Sequence, residues 1–208
     1  MKARVKNPRE FGRVAVLMGG WSSERQVSLW SGEAVHAALL KRGVEAVAVD
    51  ASRENVLNLR AQGFERAFIV LHGPGGEDGV VQAALELQGI PYTGSGVAAS
   101  AIKMDKVAAK RLWRAEGLPT ADFRVLQNEA EAKAAAKAFG FPFVIKPSSE
   151  GSSVGVTIVK KAAQVAPAFK LAQGQGRAVM AERFIKGAEM TVAVLNGEAL
   201  PSICIEPD

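Results

Sequence analysis

One cysteine, two histidines and one tyrosine occur in the 208 residues, and aromatic residues make up only 6%. With Cys204 alone no intrachain disulfide can form, and a reducing compartment is the simple reading. Cys204 stands in the apolar stretch PSICI, where a small buried residue is favoured over a nucleophile. No His/Cys cluster has the spacing of a zinc site. No apolar run approaches the ~20 residues of a membrane span. The opening MKARVKNPRE is basic but lacks the apolar core of a signal peptide. A cytoplasmic protein with no membrane association is therefore expected. The formal charge of +5 suits an anionic ligand, but no basic run is interleaved with aromatics, which argues against nucleic acid.

What is present is ordinary globular material, 48% hydrophobic and 23% charged, enough for one good-sized core or two small ones. After a disordered polar tail over residues 1–11, RVAVLM (13–18) reads as a buried strand ending at Gly19-Gly20. Ser23 and Gln26 fit a capping box, and Val27, Trp30, Ala34 and Ala37 then mark a helical face closed by Gly43. Strands follow at 44–50 and 67–73, and a helix over 79–88 is closed by Gly89. Continuous apolar strands alternating with helices predict a parallel sheet covered by helices, over about residues 12–95. A helical segment spans 96–118. Beyond it, strand 121–126, a helix, and β-runs FPFVIK, GVTIVK, AVMAERFI, MTVAVL and ALPSICI predict a mostly antiparallel sheet carrying a helix over 119–208. Asn196-Gly197 is a hairpin turn. The class is α/β followed by α+β.

Ligands bind at the carboxyl ends of strands in open parallel sheets, and two loops lie there. MGGWSSER offers a tight turn and a helix N-terminus that favours an anion, but Trp21 and Glu24 replace the glycines a dinucleotide fingerprint needs. Glu24 reads either as a first-turn acid complementing the helix dipole or as a carboxylate for an ammonium group. In LHGPGGEDG, His72 at the strand end is a site candidate as readily as a structural residue, and Glu77 and Asp78 read as caps. His36, mid-helix, reads as structural. In the second half, Lys146 ends a strand and is followed by SSEGSSVGV. Such a loop could be plain surface, or its amides and hydroxyls could wrap phosphate oxygens beside the lysine's point charge. Its spacing is not that of a P-loop. Glu182 and Glu189 flank a turn at Gly187 and read by default as solvated acids.

The stretches VLMGGWSSERQVSL, VLHGPGGEDG with LQGIPYTGSG, SAIKMDKVAAKRLW, FVIKPSSEGSSVGV and AERFIKGAEMTVAVL together resemble the D-alanine–D-alanine ligases of the ATP-grasp superfamily. They occur in that family's order and cover nearly the whole chain. The resemblance implies ATP-dependent joining of two D-alanines through an acyl phosphate, for peptidoglycan precursor synthesis, by a homodimer. It implies that Glu24 binds the ammonium of the first D-alanine in a network with Ser152, and that His72 lies by its carboxylate or acyl phosphate. It further implies that Lys106 and Lys146 contact ATP phosphates under a lid of Gly151, Ser152 and Ser153. Glu182 would accept from the adenine amine with backbone near Phe184, and Glu189 would hold the ribose. Pro74, where the family often has a basic residue, and Gln26, where an acid is common, depart from the pattern.

The family continues for roughly another third of its length, which should carry the ligands of two Mg²⁺ ions, a tyrosine partner for Ser152 and an oxyanion-stabilising arginine. No metal ligand is expected within these residues, and the chain alone is expected to be inactive. A D-alanyl-D-lactate ligase, another carboxylate–amine ligase of the superfamily and a non-catalytic nucleotide-binding module are the rival readings.

Overall fold

The computed structural model describes residues 7–151, 153–175 and 178–206. Its first half alternates strands and helices in the order β1 (Val14–Met18), α1 (Arg25–Lys41), β2 (Ala46–Asp50), α2 (Arg53–Leu57), β3 (Arg66–Ile69) and α3 (Val80–Leu87). The strands are parallel, in the order β2-β1-β3, with Val14 opposite both Ala46 and Arg66. All five residues of β1 are buried, because both faces of the central strand are covered. Its alternation sends Ala15 and Leu17 to one side, against Leu59, Phe64, Val81 and Leu85. Val14, Val16 and Met18 pack on the other, against Leu29, Val35 and Leu39 of α1.

Three local expectations change here. Helix α1 begins one residue after Glu24, with no Ser23–Gln26 capping box. It docks through Ser28 and Gly32, whereas Val27, Trp30, Ala34 and Ala37 are exposed. A Cβ on Gly32 would stand 2.4 Å from the Met18 Cβ, so small residues, rather than the large apolar ones, let this helix approach the sheet. Residues 7–11 of the expected disordered tail are structured: Pro8–Phe11 form a 3₁₀ turn capped by Asn7, and Phe11 packs on the α1 side of the sheet.

The helical segment after the first sheet is two helices, α4 (Val97–Met104) and α5 (Lys106–Ala115). Asp105 separates them and caps α5, its carboxylate accepting from the Val107 and Ala108 amides. Then come β4 (Phe123–Leu126), α6 (Glu129–Phe139), β5 (Phe143–Pro147), β6 (Thr157–Val159), α7 (Val165–Gln173) and β7 (Val179–Arg183). The four strands form an antiparallel sheet in the order β4-β7-β5-β6. Phe143 and Ile145 of β5 face Ala132 and Ala135 of α6 and Phe169 and Ala172 of α7. Two helices thus cover this sheet, one more than the sequence suggested.

Strand alternation then decides the chemistry of the opposite face. Val144 of β5 stands opposite Glu182 of β7, while Ile145 stands opposite Ala181. Lys146, two residues past Val144, therefore shares with Glu182 the face opposite α6 and α7.

The last strands are β8 (Glu189–Thr191), β9 (Val194–Leu195), β10 (Glu198–Ala199) and β11 (Ile203–Ile205). They pair as two separate two-stranded sheets, β9 with β10 and β8 with β11. Asn196 and Gly197 both have positive φ, 54° and 86°, in the turn between β9 and β10. Cys204 in β11 is exposed, contrary to the expectation of a small buried residue. The apolar texture around it does not bury it, because every residue of β8–β11 is exposed, Met190, Ile203 and Ile205 included.

Candidate functional site

The Gly19-Gly20 turn and the 72–79 loop meet at the carboxyl end of the parallel sheet. Ser22 ties them: its hydroxyl donates to the His72 carbonyl at 2.8 Å and accepts from the Glu24 amide at 3.1 Å. Gly75 lies under the Trp21 indole, where a Cβ would stand 2.4 Å from the ring. The residue that spoils a dinucleotide fingerprint thus covers the neighbouring loop. Asp78 closes that loop by accepting from the amides of Gly75, at 2.8 Å, and Val80, at 3.1 Å, while the N-cap position of α3 is Gly79.

Glu24 is the N-cap residue of α1, yet its side chain makes no capping hydrogen bond. Its Oε2 lies 2.7 Å from where a Cβ on Gly73 would stand and 3.0 Å from where one on Gly151 would. The carboxylate therefore sits between the 72–79 loop and the glycine–serine loop of the second sheet. His72 lies in the wall of a small recess with Gly19, Gly20 and Trp21, and its Nε2 is buried with no hydrogen-bond partner among the described residues. A buried polar nitrogen without a partner is costly unless a ligand or water completes it. His36, by contrast, is held within the fold, its Nε2 donating to the Ala46 carbonyl at 3.1 Å.

The glycine–serine loop is pinned by Lys106, the first residue of α5. Its amide donates to the Ser148 carbonyl at 2.8 Å, and its ammonium donates to the Glu150 carbonyl. An open groove runs beneath, lined by Pro74 and Asp78 on one side and by Ser148, Ser149 and Glu150 on the other. Burial, then the nearby charge of Lys146, holds the Lys106 ammonium below the usual lysine range, opposed by Glu150, Asp105 and Glu182.

On the sheet face opposite α6 and α7, Glu182 is not the solvated acid its local context suggested. One carboxylate oxygen is ion-paired with Lys146, and the other lies 3.1 Å from Lys110 Nζ. The Glu182 side chain is 15% exposed and that of Lys110 only 7%, so the pairing is largely shielded from solvent. Burial alone would raise the Glu182 pKa, but the hydrogen bonds and charges of Lys146 and Lys110 outweigh it, and the net shift is downward. Lys110 also donates to Thr120 Oγ1 at 2.7 Å and lies 5.4 Å from the centre of the Phe123 ring. Lys110 and Thr120 were missed by sequence reasoning. The signal was the spacing KVAAK, which puts Lys110 one helical turn after Lys106.

Glu24, His72 and Gly151 thus form one neighbourhood, and Lys106, Lys146 and Glu182 a second. Ser153 is exposed with φ 59°, Phe184 is half-buried just past β7, and Glu189 is exposed in β8. Ser152 lies outside the described residues. Among the described residues no group of three or more His, Cys, Asp or Glu could hold a metal ion.

A parallel-sheet unit joined to an antiparallel sheet, with a lysine–glutamate face beside a glycine–serine loop, defines the class as ATP-grasp. The structure of the ligase from Bacillus anthracis complexed with ATP superposes with a TM-score of 0.82 at 37% identity, over 94% of this chain and 66% of that one. Two family models match, D-ala D-ala ligase N-terminus over residues 51–95 and D-ala D-ala ligase C-terminus over residues 112–207. The D-alanine–D-alanine ligase of Stutzerimonas stutzeri is 51% identical over 199 residues, 96% of this chain and 63% of the relative. That of Laribacter hongkongensis is 51% identical over 197 residues, 95% of this chain and 64% of the relative. The chain belongs to the D-alanine–D-alanine ligase family and spans somewhat less than two thirds of the length of these relatives.

Proposed function

We propose that this chain carries the first-substrate and nucleotide-binding parts of an ATP-dependent D-alanine–D-alanine ligase serving peptidoglycan precursor synthesis in the cytoplasm, as a homodimer. The supporting observation is the placement of Glu24 against Gly73 and Gly151, which sets a carboxylate between the parallel sheet and the loop below which ATP phosphates would lie. In this reading the phosphoryl group passes from ATP to the carboxylate of the first D-alanine, giving an acyl phosphate and ADP. The amine of the second D-alanine attacks the acyl carbon, and phosphate leaves.

Glu24 holds the first ammonium with Ser152, and the unpartnered Nε2 of His72 faces the substrate carboxylate. Lys106 and Lys146 neutralise phosphate oxygens under Gly151, Ser152 and Ser153, so that negative charge is offset where it develops. Glu182 accepts from the adenine amine, flanked by backbone at Phe184, and Glu189 holds the ribose. Magnesium would neutralise phosphate charge alongside ATP, but the described residues offer no donor set that fits it, and no step here depends on one.

The test is D-alanine-dependent phosphate release from Mg-ATP, measured on the 208-residue chain and on this chain fused to the corresponding last third of the Stutzerimonas stutzeri relative. Release by the fused protein that Glu24→Ala abolishes supports the reading. Silence in both proteins, or turnover that Glu24→Ala leaves intact, overturns it.

A further inference from the structure

We propose that Lys110 is the fixed counter-ion of Glu182 and, by orienting its carboxylate, sets the preference for a purine carrying an exocyclic amine. This rests on the proposed role of Glu182 toward adenine. Glu182 is held from two sides, but the two lysines are not equivalent. Lys146 is the lysine assigned to the phosphates, and its side chain is the more exposed, at 18% against 7%. An ammonium drawn toward phosphate oxygens gives up part of its hold on the carboxylate. Lys110 has a second anchor on Thr120 Oγ1 at 2.7 Å and lies beside the Phe123 ring. It therefore stays on Oε2 when Lys146 is engaged elsewhere, and Oε1 is left to accept from the amine. A purine with a carbonyl at that position sets an acceptor against an ionised carboxylate, which repels it. Lys110 touches Glu182 and not the nucleotide, so it is a positioning residue.

The experiment measures the dissociation constants of ATP and inosine triphosphate by calorimetry, on the fused protein of the phosphate-release assay. The unaltered protein is expected to prefer ATP at least tenfold. Lys110→Met is expected to reduce that preference about tenfold, from the loss of a charge-assisted contact, and Lys110→Arg to restore most of it. A preference that Lys110→Met leaves unchanged overturns the inference while the role of Glu182 stands. Equal binding of both nucleotides by the unaltered protein instead removes the adenine role of Glu182 itself. Should Lys110→Met not fold, Thr120→Val keeps the ammonium but frees it from its anchor. There the ratio is expected to fall about threefold, and an unchanged ratio overturns the inference as well.

Discussion

Glu24 and Gly151 come from opposite halves of the chain, yet a Cβ on Gly151 would stand 3.0 Å from Glu24 Oε2. Gly151 does not have a positive φ, so it is the space, and not the backbone conformation, that disfavours a side chain there. The close approach lets a carboxylate from the parallel sheet reach the loop that follows β5.

A charge-removing change at Glu24 should therefore act on one substrate only. Glu24→Gln keeps the shape and removes the charge that an ammonium would meet. We expect the KM for the first D-alanine to rise about 100-fold, the value of one buried charge-assisted contact, with the ATP dissociation constant little changed. Steady-state kinetics on the fused protein, with calorimetry for ATP, checks this. Equal weakening of both ligands would mean that Glu24 supports the fold of the two loops.

Glu182 should also matter for stability. Removing its charge leaves Lys110 and Lys146 facing each other in a shielded site. Glu182→Gln should cost about 3 kcal/mol in urea unfolding at neutral pH. The folded-state pKa of Glu182 lies below its ordinary value of 4.5, so the unfolded chain takes up the proton first. The ionised carboxylate's contribution is thus complete above 4.5 and is lost as pH falls through the lower folded value. The stability gap between the unaltered protein and Glu182→Gln should narrow in that acidic window and be constant from about pH 5 upward.

The close docking of α1 gives a third test. Ala at position 32 should gain about 1 kcal/mol of helix propensity in isolation. Its Cβ would nevertheless meet the Met18 Cβ at 2.4 Å, and overpacking of this kind costs about 1–3 kcal/mol. We expect Gly32→Ala to lower stability by about 1 kcal/mol net, read as a drop in the urea midpoint with an unchanged slope. A stabilised variant would show that the helix moves away from the sheet at little cost.

The single tyrosine offers a spectroscopic check. Tyr92 bridges to Ala67 beside β3, and its hydroxyl donates to Glu86 Oε1 at 2.7 Å. Burial, then the hydrogen bond and charge of Glu86, pushes its pKa up to about 12. Because no other tyrosine is present, phenolate absorbance reports this group alone. Its titration should be absent near pH 10 in the folded protein. The stabilisation from the protonated phenol is complete below its ordinary 10.0 and is lost as pH rises through about 12. A midpoint near 10 would mean that the Glu86 contact does not persist in solution.

Much of this architecture can be read along the chain. The apolar run of β1, the glycines at 19, 20 and 73–79, and Asn196-Gly197 each specify local geometry through side-chain size or backbone freedom alone. Helix α7 was missed: Val165, Ala168, Phe169 and Ala172 follow a helical face and are buried, but Pro167 weakens that signal although a proline is tolerated in a first turn. The face of α1 was misread because Trp30 and Val27 carry more apolar area than Ser28 and Gly32, while the sheet has room only for the small pair.

By itself, the order of residues determined the parallel first sheet, the two glycine loops, and Lys146 as a cation beside the glycine–serine loop. These follow from patterns of a few neighbouring residues. Only the tertiary structure decided that Glu182 is shielded between Lys146 and Lys110, that Glu24 touches the second loop through Gly151, and that Cys204 is exposed. Each of those depends on which distant element packs, or does not pack, against a side chain, and burial and charge are properties of that packing, not of the local sequence.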